Sequence, residues 1–450
     1  MNLNSLFEEK NIFKLFLKIA IPGSLGMLAS AIYQLIDGIF VSNFLGEAAF
    51  SAINLAFPFI VLIYAIADLI GVGSSVIIAI KLGEKKLDEA RGLFSASILT
   101  IFIADTIIGL LTFFFAKDLI ILMGAEGELL ELSTEYLKIY AITLPLSGYI
   151  FALDNYLRIN GMVKTSLLIN ISMSVFIIGF ESLLIAYFHL PIWAAAFACT
   201  AGFMLFSLIS FIPFFFKRSA LKFQKPLFKV KLCLETGKNG LPAFLSNIAS
   251  RITSIILNII LLQKGGENAV SAYGVLMYVD SFVWPLLYGM SDSLQPCIGY
   301  NYGAKRYDRV KKIAKYCFLF NMIVCLVSFI LLISFPSFTS GIFIDKGNEE
   351  LTKMTVIAIS IYSFTYLVKW FSYTTQGFFQ ALGKSGLAII ISLTVSLIFP
   401  LIFIIPFSYL SLDAIWLVTP LTYLLATILS VFLLLLEKKK GLLKEERITA

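Results

Sequence analysis

The chain is a succession of apolar runs, each about twenty residues or longer, the length a helix needs to cross a bilayer core. About twelve stand out, near 14–42, 51–82, 92–116, 132–157, 165–189, 192–216, 240–263, 269–300, 312–335, 355–380, 386–408 and 413–436. Lipid offers the backbone no hydrogen bonds, so such runs must be helices. Only 14% of the residues are charged and 59% are hydrophobic, against about 25% and 45–50% in soluble domains. No stretch is left over for a soluble domain. The expectation is an all-α integral membrane protein.

Charge orients the spans. Basic residues crowd alternate connections: Lys81, Lys85, Lys86 and Arg91; Arg158 and Lys164; Lys217, Arg218, Lys222, Lys225, Lys229, Lys231 and Lys238; Lys305, Arg306, Arg309, Lys311, Lys312 and Lys315; and the tail "EKKKGLLKEER". The other connections are short or acidic, with Glu47, Glu126, Glu128, Glu131, Asp345, Glu349 and Glu350. Cytoplasmic loops collect Lys and Arg, which places both termini in the cytoplasm and agrees with an even number of spans. The net charge of +7 then reflects topology and calls for no nucleic acid. Lys10, Lys14 and Lys18 share one helix face ahead of the first span, as in an interfacial lead-in segment; no cleavable leader is expected.

The two halves repeat at an offset of 220 residues. Pro22, Ala29 and Ser30 pair with Pro242, Ala249 and Ser250; Gly46, Glu47 and Ser51 with Gly266, Glu267 and Ser271; Gly83, Lys85 and Asp88 with Gly303, Lys305 and Asp308. Apolar matches alone would be weak, but Pro, Gly, Glu, Lys and Asp matches in one register are not. Six spans per half make this a parallel repeat: two six-helix lobes related by a pseudo-twofold axis along the membrane normal, an architecture that transporters use. The expected divisions are an N-terminal lobe over 1–216, a basic cytoplasmic linker over 217–238, a C-terminal lobe over 239–436 and a basic tail over 437–450. A monomer is expected.

Asp37 interrupts the first span. A carboxylate at the centre of a membrane helix costs roughly 2.5–3.5 kcal/mol. Its repeat mate is Leu257, so the scaffold accepts an apolar residue there and the acid is an addition. Ser30, Tyr33 and Gln34 lie on its helix face, a polar stripe that should look onto a cavity. Asp68, Asp105, Asp280, Asp292, Arg251 and Lys369 also fall within spans, and Arg251 could pair with Asp280. Aromatic faces hold organic cations with about 0.5–2 kcal/mol each. Among 42 Phe and 19 Tyr, the cavity candidates are Tyr33, Tyr149, Tyr273, Tyr278 and Trp284, with Asn54 as a polar neighbour. Arg158 and Asn155, at a cytoplasmic helix end, read as structural.

Several classes are excluded or disfavoured. The five cysteines show no paired spacing and read as small apolar residues, and the lone His189 falls at a helix end. No phosphate loop, nucleophile elbow or zinc motif appears, so neither an enzyme nor a cofactor protein is expected.

The segments "IPGSLGMLASAIYQLIDGIFVSNFLG", "LRINGMVKT", "SLQPCIGYNYGAKRYDRV" and "FQALGKS" resemble the multidrug and toxic compound extrusion (MATE) transporters, nearest to a DinF- and MepA-like bacterial branch. The resemblance implies a cation-coupled antiporter of the bacterial cytoplasmic membrane that exports cationic amphiphilic drugs or toxins. It implies that Asp37 takes part in coupling, with Glu181 in span five and Thr200 in span six. The proton is the favoured ion. Sodium at Asp37, Glu181 and Thr200 is the alternative, disfavoured because the family's Asn position holds Ile177. The acids that another branch carries in spans seven and ten are missing near Ser250, Arg251 and Lys369, which puts coupling in the first half. A lipid-linked saccharide flippase is the rival function.

Overall fold

The computed structural model describes residues 4–216, 219–344 and 348–443, so Lys217, Arg218, Asp345 and the last residues of the tail lie outside the described part. The described residues hold helices and no strand. Ten helices are long and apolar enough to cross a membrane, or eleven when Glu349–Ser363 and Thr365–Ala381, bent by 47° at their junction, count as one span. The longest, Val230–Gly303, contains the non-helical Gly266 and is physically two helices, which gives the expected twelve.

We number them α1 (Ile12–Gly46), α2 (Ala48–Gly83), α3 (Leu87–Leu122), α4 (Gly127–Ile159), α5 (Val163–Tyr187), α6 (Trp193–Phe215), α7 (230–265), α8 (267–303), α9 (Tyr307–Ser334), α10 (349–381), α11 (Ser385–Phe407) and α12 (Leu412–Lys439).

The chain forms two compact units. Unit 1 takes the described residues of Met1–Lys10 and Leu25–Gly240; unit 2 takes Asn11–Ser24 and the described residues of Leu241–Ala450. The start of α1 thus belongs to unit 2, where Phe16 is fully buried with its ring 4.8 Å from Phe320 and 5.8 Å from Tyr316. Leu15, Ile19 and Ala20 share that buried face, while Lys14 and Lys18 are exposed. The lead-in segment is therefore the docked first turns of α1, begun by the Asn11 side chain accepting from the Lys14 N–H at 3.0 Å. Reciprocally, the start of α7 belongs to unit 1. An added Cβ on Gly73 would lie 2.0 Å from the Thr236 carbonyl oxygen, and one on Gly240 2.0 Å from that of Leu69. Only glycine allows this approach.

The stretch before α7 is docked too. Arg91 donates to the Ala220 carbonyl at 2.8 Å, the Leu221 N–H to Asn160 at 3.2 Å, and the Gln224 N–H to Ser95 at 3.0 Å. Beneath it Arg158, 1% exposed, pairs with Asp154, which also accepts from Ser166 and from Asn170.

The repeat persists in backbone detail. Gly46 and Gly266 carry positive φ of 85° and 62°, turning α1 into α2 and α7 into α8. Lys85 and Lys305, also 220 apart, adopt left-handed φ of 62° and 57° at matching turns. Lys81 lies 3.3 Å from Glu89; their counterparts Asn301 and Arg309 are 2.9 Å apart. The same bridge is kept with different chemistry. Each unit also has one π-helical turn, Leu183–Tyr187 in α5 and Thr394–Ile398 in α11.

Candidate functional site: a carboxyl pair in unit 1 and a caged lysine in unit 2

Asp37 is half-buried on α1, and Glu181 is 1% exposed on α5, just before its π-helical turn. Their carboxyl groups lie within hydrogen-bonding reach of each other. Two carboxyl groups that close can share a hydrogen bond only while one of them holds a proton. π-Helical turns recur at functional sites because they re-aim side chains by a fraction of a turn; here the turn begins two residues after Glu181. Glu181 Oε1 is buried without a hydrogen-bond partner among the described residues.

Around the pair stand Tyr33, Tyr136, Tyr140 and Cys199. The Cys199 thiol lies in hydrogen-bonding reach of Tyr33 and Tyr140, and the Tyr136 and Tyr140 hydroxyls are 3.4 Å apart. All four are buried. This corrects the reading of Cys199 as apolar filling: its thiol sits in the polar cluster. Tyr136 and Tyr140 were legible as an i, i+4 pair on α4, but nothing in the sequence aimed them at Asp37.

The other first-half candidates are placed differently. Thr200 is fully buried and its hydroxyl donates to the Ala196 carbonyl at 2.9 Å on its own helix. Ile177, at the family's Asn position, is fully buried against Gly202, where an added Cβ would lie 2.4 Å from Ile177 Cγ1. Ser30 bonds the Gly26 carbonyl, exposed Asn54 bonds that of Phe50, and Tyr149 bonds that of Ile98 at 3.3 Å. Gln34 is exposed and reaches the Tyr33 hydroxyl. Among the described residues no cluster of three His, Cys, Asp or Glu is arranged to hold a metal ion.

Unit 2 is built around Lys369 of α10. Its ammonium lies 2.6 and 2.9 Å from the two Asp280 oxygens and 5.3–5.8 Å from the ring centres of Tyr366, Tyr373 and Tyr423. Tyr366 donates to Asp280 at 3.0 Å, and Trp284 donates to Tyr373 at 2.6 Å while stacking on Tyr288. Asp280 therefore pairs with Lys369, not with Arg251 as the sequence suggested; Arg251 is exposed. Tyr273 bonds Ser254 at 3.2 Å, and Tyr278, 47% exposed, stacks on Phe343. Leu257, the repeat mate of Asp37, is buried in the apolar core of this unit.

The chain is 26% identical over 436 residues to the multidrug export protein MepA of Staphylococcus aureus strain MSSA476, covering 95% of each. It is 26% identical over 405 residues to the MepA protein of Staphylococcus saprophyticus, covering 88% of each. A MATE crystal structure in complex with MaL6 superposes with a TM-score of 0.91 at 22% identity, covering 98% of this chain and 99% of that one, a likeness of fold. The MatE family profile matches residues 22–183 and 242–410, one stretch in each half. The chain belongs to the MatE family, the multidrug and toxic compound extrusion transporters.

Proposed function

We propose that this protein is a cation-coupled antiporter that exports cationic amphiphilic compounds by alternating access, with the coupling proton held at Asp37 and Glu181. The observation that supports it is the approach of the two carboxyl groups to within hydrogen-bonding reach, a geometry in which a proton on one can be shared with the other. Relatives named multidrug export proteins support export as the direction and drugs as cargo.

The cycle follows from charge. With its proton the pair carries one negative charge fewer, and a cationic cargo loses its counter-charge. Facing outward, the pair takes up a proton and cargo leaves. Facing inward, the proton departs and cargo is favoured again. Two ligands that compete for one charge are negatively coupled in both directions, which is all that exchange needs. Sodium is the second ion of choice. It would draw oxygens from Asp37, Glu181 and Thr200, but the Thr200 hydroxyl is directed onto its own helix and Ile177 offers no oxygen.

Lipid-linked saccharide transport is disfavoured, because the buried Lys369 that could meet a phosphate is already neutralised by Asp280. The basic connections place the termini in the cytoplasm of a bacterial inner membrane, and we take the monomer as the working unit. The test is export of a fluorescent organic cation from proteoliposomes under an imposed pH gradient in sodium-free buffer. Export driven by pH alone supports the proposal; a strict need for added sodium overturns the proton and leaves the antiporter.

A further inference from the structure

Asp105 is a second acid in unit 1 that the coupling pair does not use. It lies on α3, is fully buried, and neither of its carboxyl oxygens has a hydrogen-bond partner among the described residues. The side chain is pressed onto α4 beside Pro145. Pro145 has no N–H to give the Ala141 carbonyl, while Gly148 keeps helical φ/ψ and donates to the Leu144 carbonyl at 2.9 Å. One turn apart on α3, Gly109 meets that Ala141 carbonyl, with an added Cβ 2.5 Å from the oxygen. Asp105 meets Gly148, where an added Cβ would lie 2.0 Å from Oδ2. The groups facing Asp105 from the packed helices are Tyr64 of α2 and Tyr149 of α4, both neutral. No cation faces it.

A bare carboxylate so placed would carry an uncompensated charge in an apolar interior, and a buried acid avoids that cost by holding a proton. A row of polar groups continues toward the coupling pair. Tyr64 is hydrogen-bonded to Ser147 at 2.8 Å, beside Gly148, and its ring meets that of Tyr140 edge-on at 6.2 Å. Tyr140 in turn reaches Cys199, and Cys199 reaches Tyr33, one turn from Asp37.

We propose that Asp105 is a second proton-binding site of unit 1, which exchanges its proton in step with the Asp37–Glu181 pair as α3 and α4 part at Gly148. The inference rests on the proton reading of that pair. A neutral Asp105 lets α3 seat on the Pro145–Gly148 segment of α4; an ionised one needs water, and so favours opening there. Cargo entry would then release a proton from each site, and cargo exit would restore both.

The experiment counts protons released when tetraphenylphosphonium binds to the purified full-length protein in weakly buffered detergent solution. Asp105→Asn should bind the probe and release about half as many protons per cation as the parent. Asp37→Asn should lose the other half. Unchanged proton release by Asp105→Asn overturns the assignment of Asp105 and leaves the pair intact. Unchanged release by Asp37→Asn overturns the coupling pair and, with it, the coupling of Asp105 to that pair. Should the Asn variant not fold, Asp105→Ser, smaller and equally without a titratable group, is read the same way.

Discussion

The ammonium of Lys369 sits 2.6 Å from Asp280 Oδ1, inside a ring of three tyrosines. Tyr362, Tyr366, Lys369 and Tyr373 recur at i, i+4, i+7 and i+11, so α10 presents them as one stripe. The charge is matched within the unit.

Removing one member of that pair should therefore cost fold before it costs coupling. Lys369→Met leaves Asp280 without its partner and should destabilise the protein by about 3–5 kcal/mol. The double change Lys369→Met with Asp280→Leu should recover most of that loss. Thermal unfolding in detergent, run as a double-mutant cycle, reads the outcome. If the double variant melts no higher than the single one, the pair is not what Lys369 contributes.

Asp37→Asn should behave in the opposite way. Its shape is kept, and an apolar residue is tolerated at the repeat mate Leu257. Insertion and melting temperature should stay near those of the parent, while pH-driven export falls to background. Glu181→Gln should show the same separation. A correctly inserted Asp37→Asn protein that still exports against a gradient would falsify the coupling assignment.

At the C-terminal end of α4, Arg158→Ala strips the buried counter-charge from Asp154, which Ser166 and Asn170 also bond. A loss of about 3–5 kcal/mol is expected, with Asp154→Asn on top of it relieving part. Yield of folded protein by size-exclusion chromatography, with melting curves, tests this.

The start of α7 supplies a steric test. Gly73→Val and Gly240→Val should abolish folding, since their Cβ atoms meet backbone oxygens at 2.0 Å. Gly237→Ala, one turn before Gly240, meets nothing within 4 Å and should gain up to about 1 kcal/mol from helix propensity. Equal tolerance at Gly240 and Gly237 would show that α7 does not pack on α2 in this way.

Hydropathy, charge bias and the repeat made most of the architecture legible before any coordinates. A bilayer imposes one long-range rule on every span, and that rule is written in local composition. The number of spans, the glycine joints at Gly46 and Gly266, and the matched turns at Lys85 and Lys305 all follow from patterns within a few residues or from one fixed offset. Asp37 was conspicuous for the same reason: a charge among apolar residues is a local signal. Which groups meet was decided elsewhere. Glu181 reaches Asp37, Cys199 reaches Tyr33 and Tyr140, and Lys369 takes Asp280 ahead of Arg251, each across helices far apart in the chain. Helical periodicity gives the face on which a side chain stands, but not the neighbour that face will meet. That depends on helix rotation, on the close approach of α3 to α4 at Gly148 and on the π-helical turn after Glu181. The exchange of the first turns of α1 and α7 between units was hidden for a related reason. A continuous apolar helix carries no mark of where its packing partner changes, and only close contacts such as Gly73 with Thr236 fix that point.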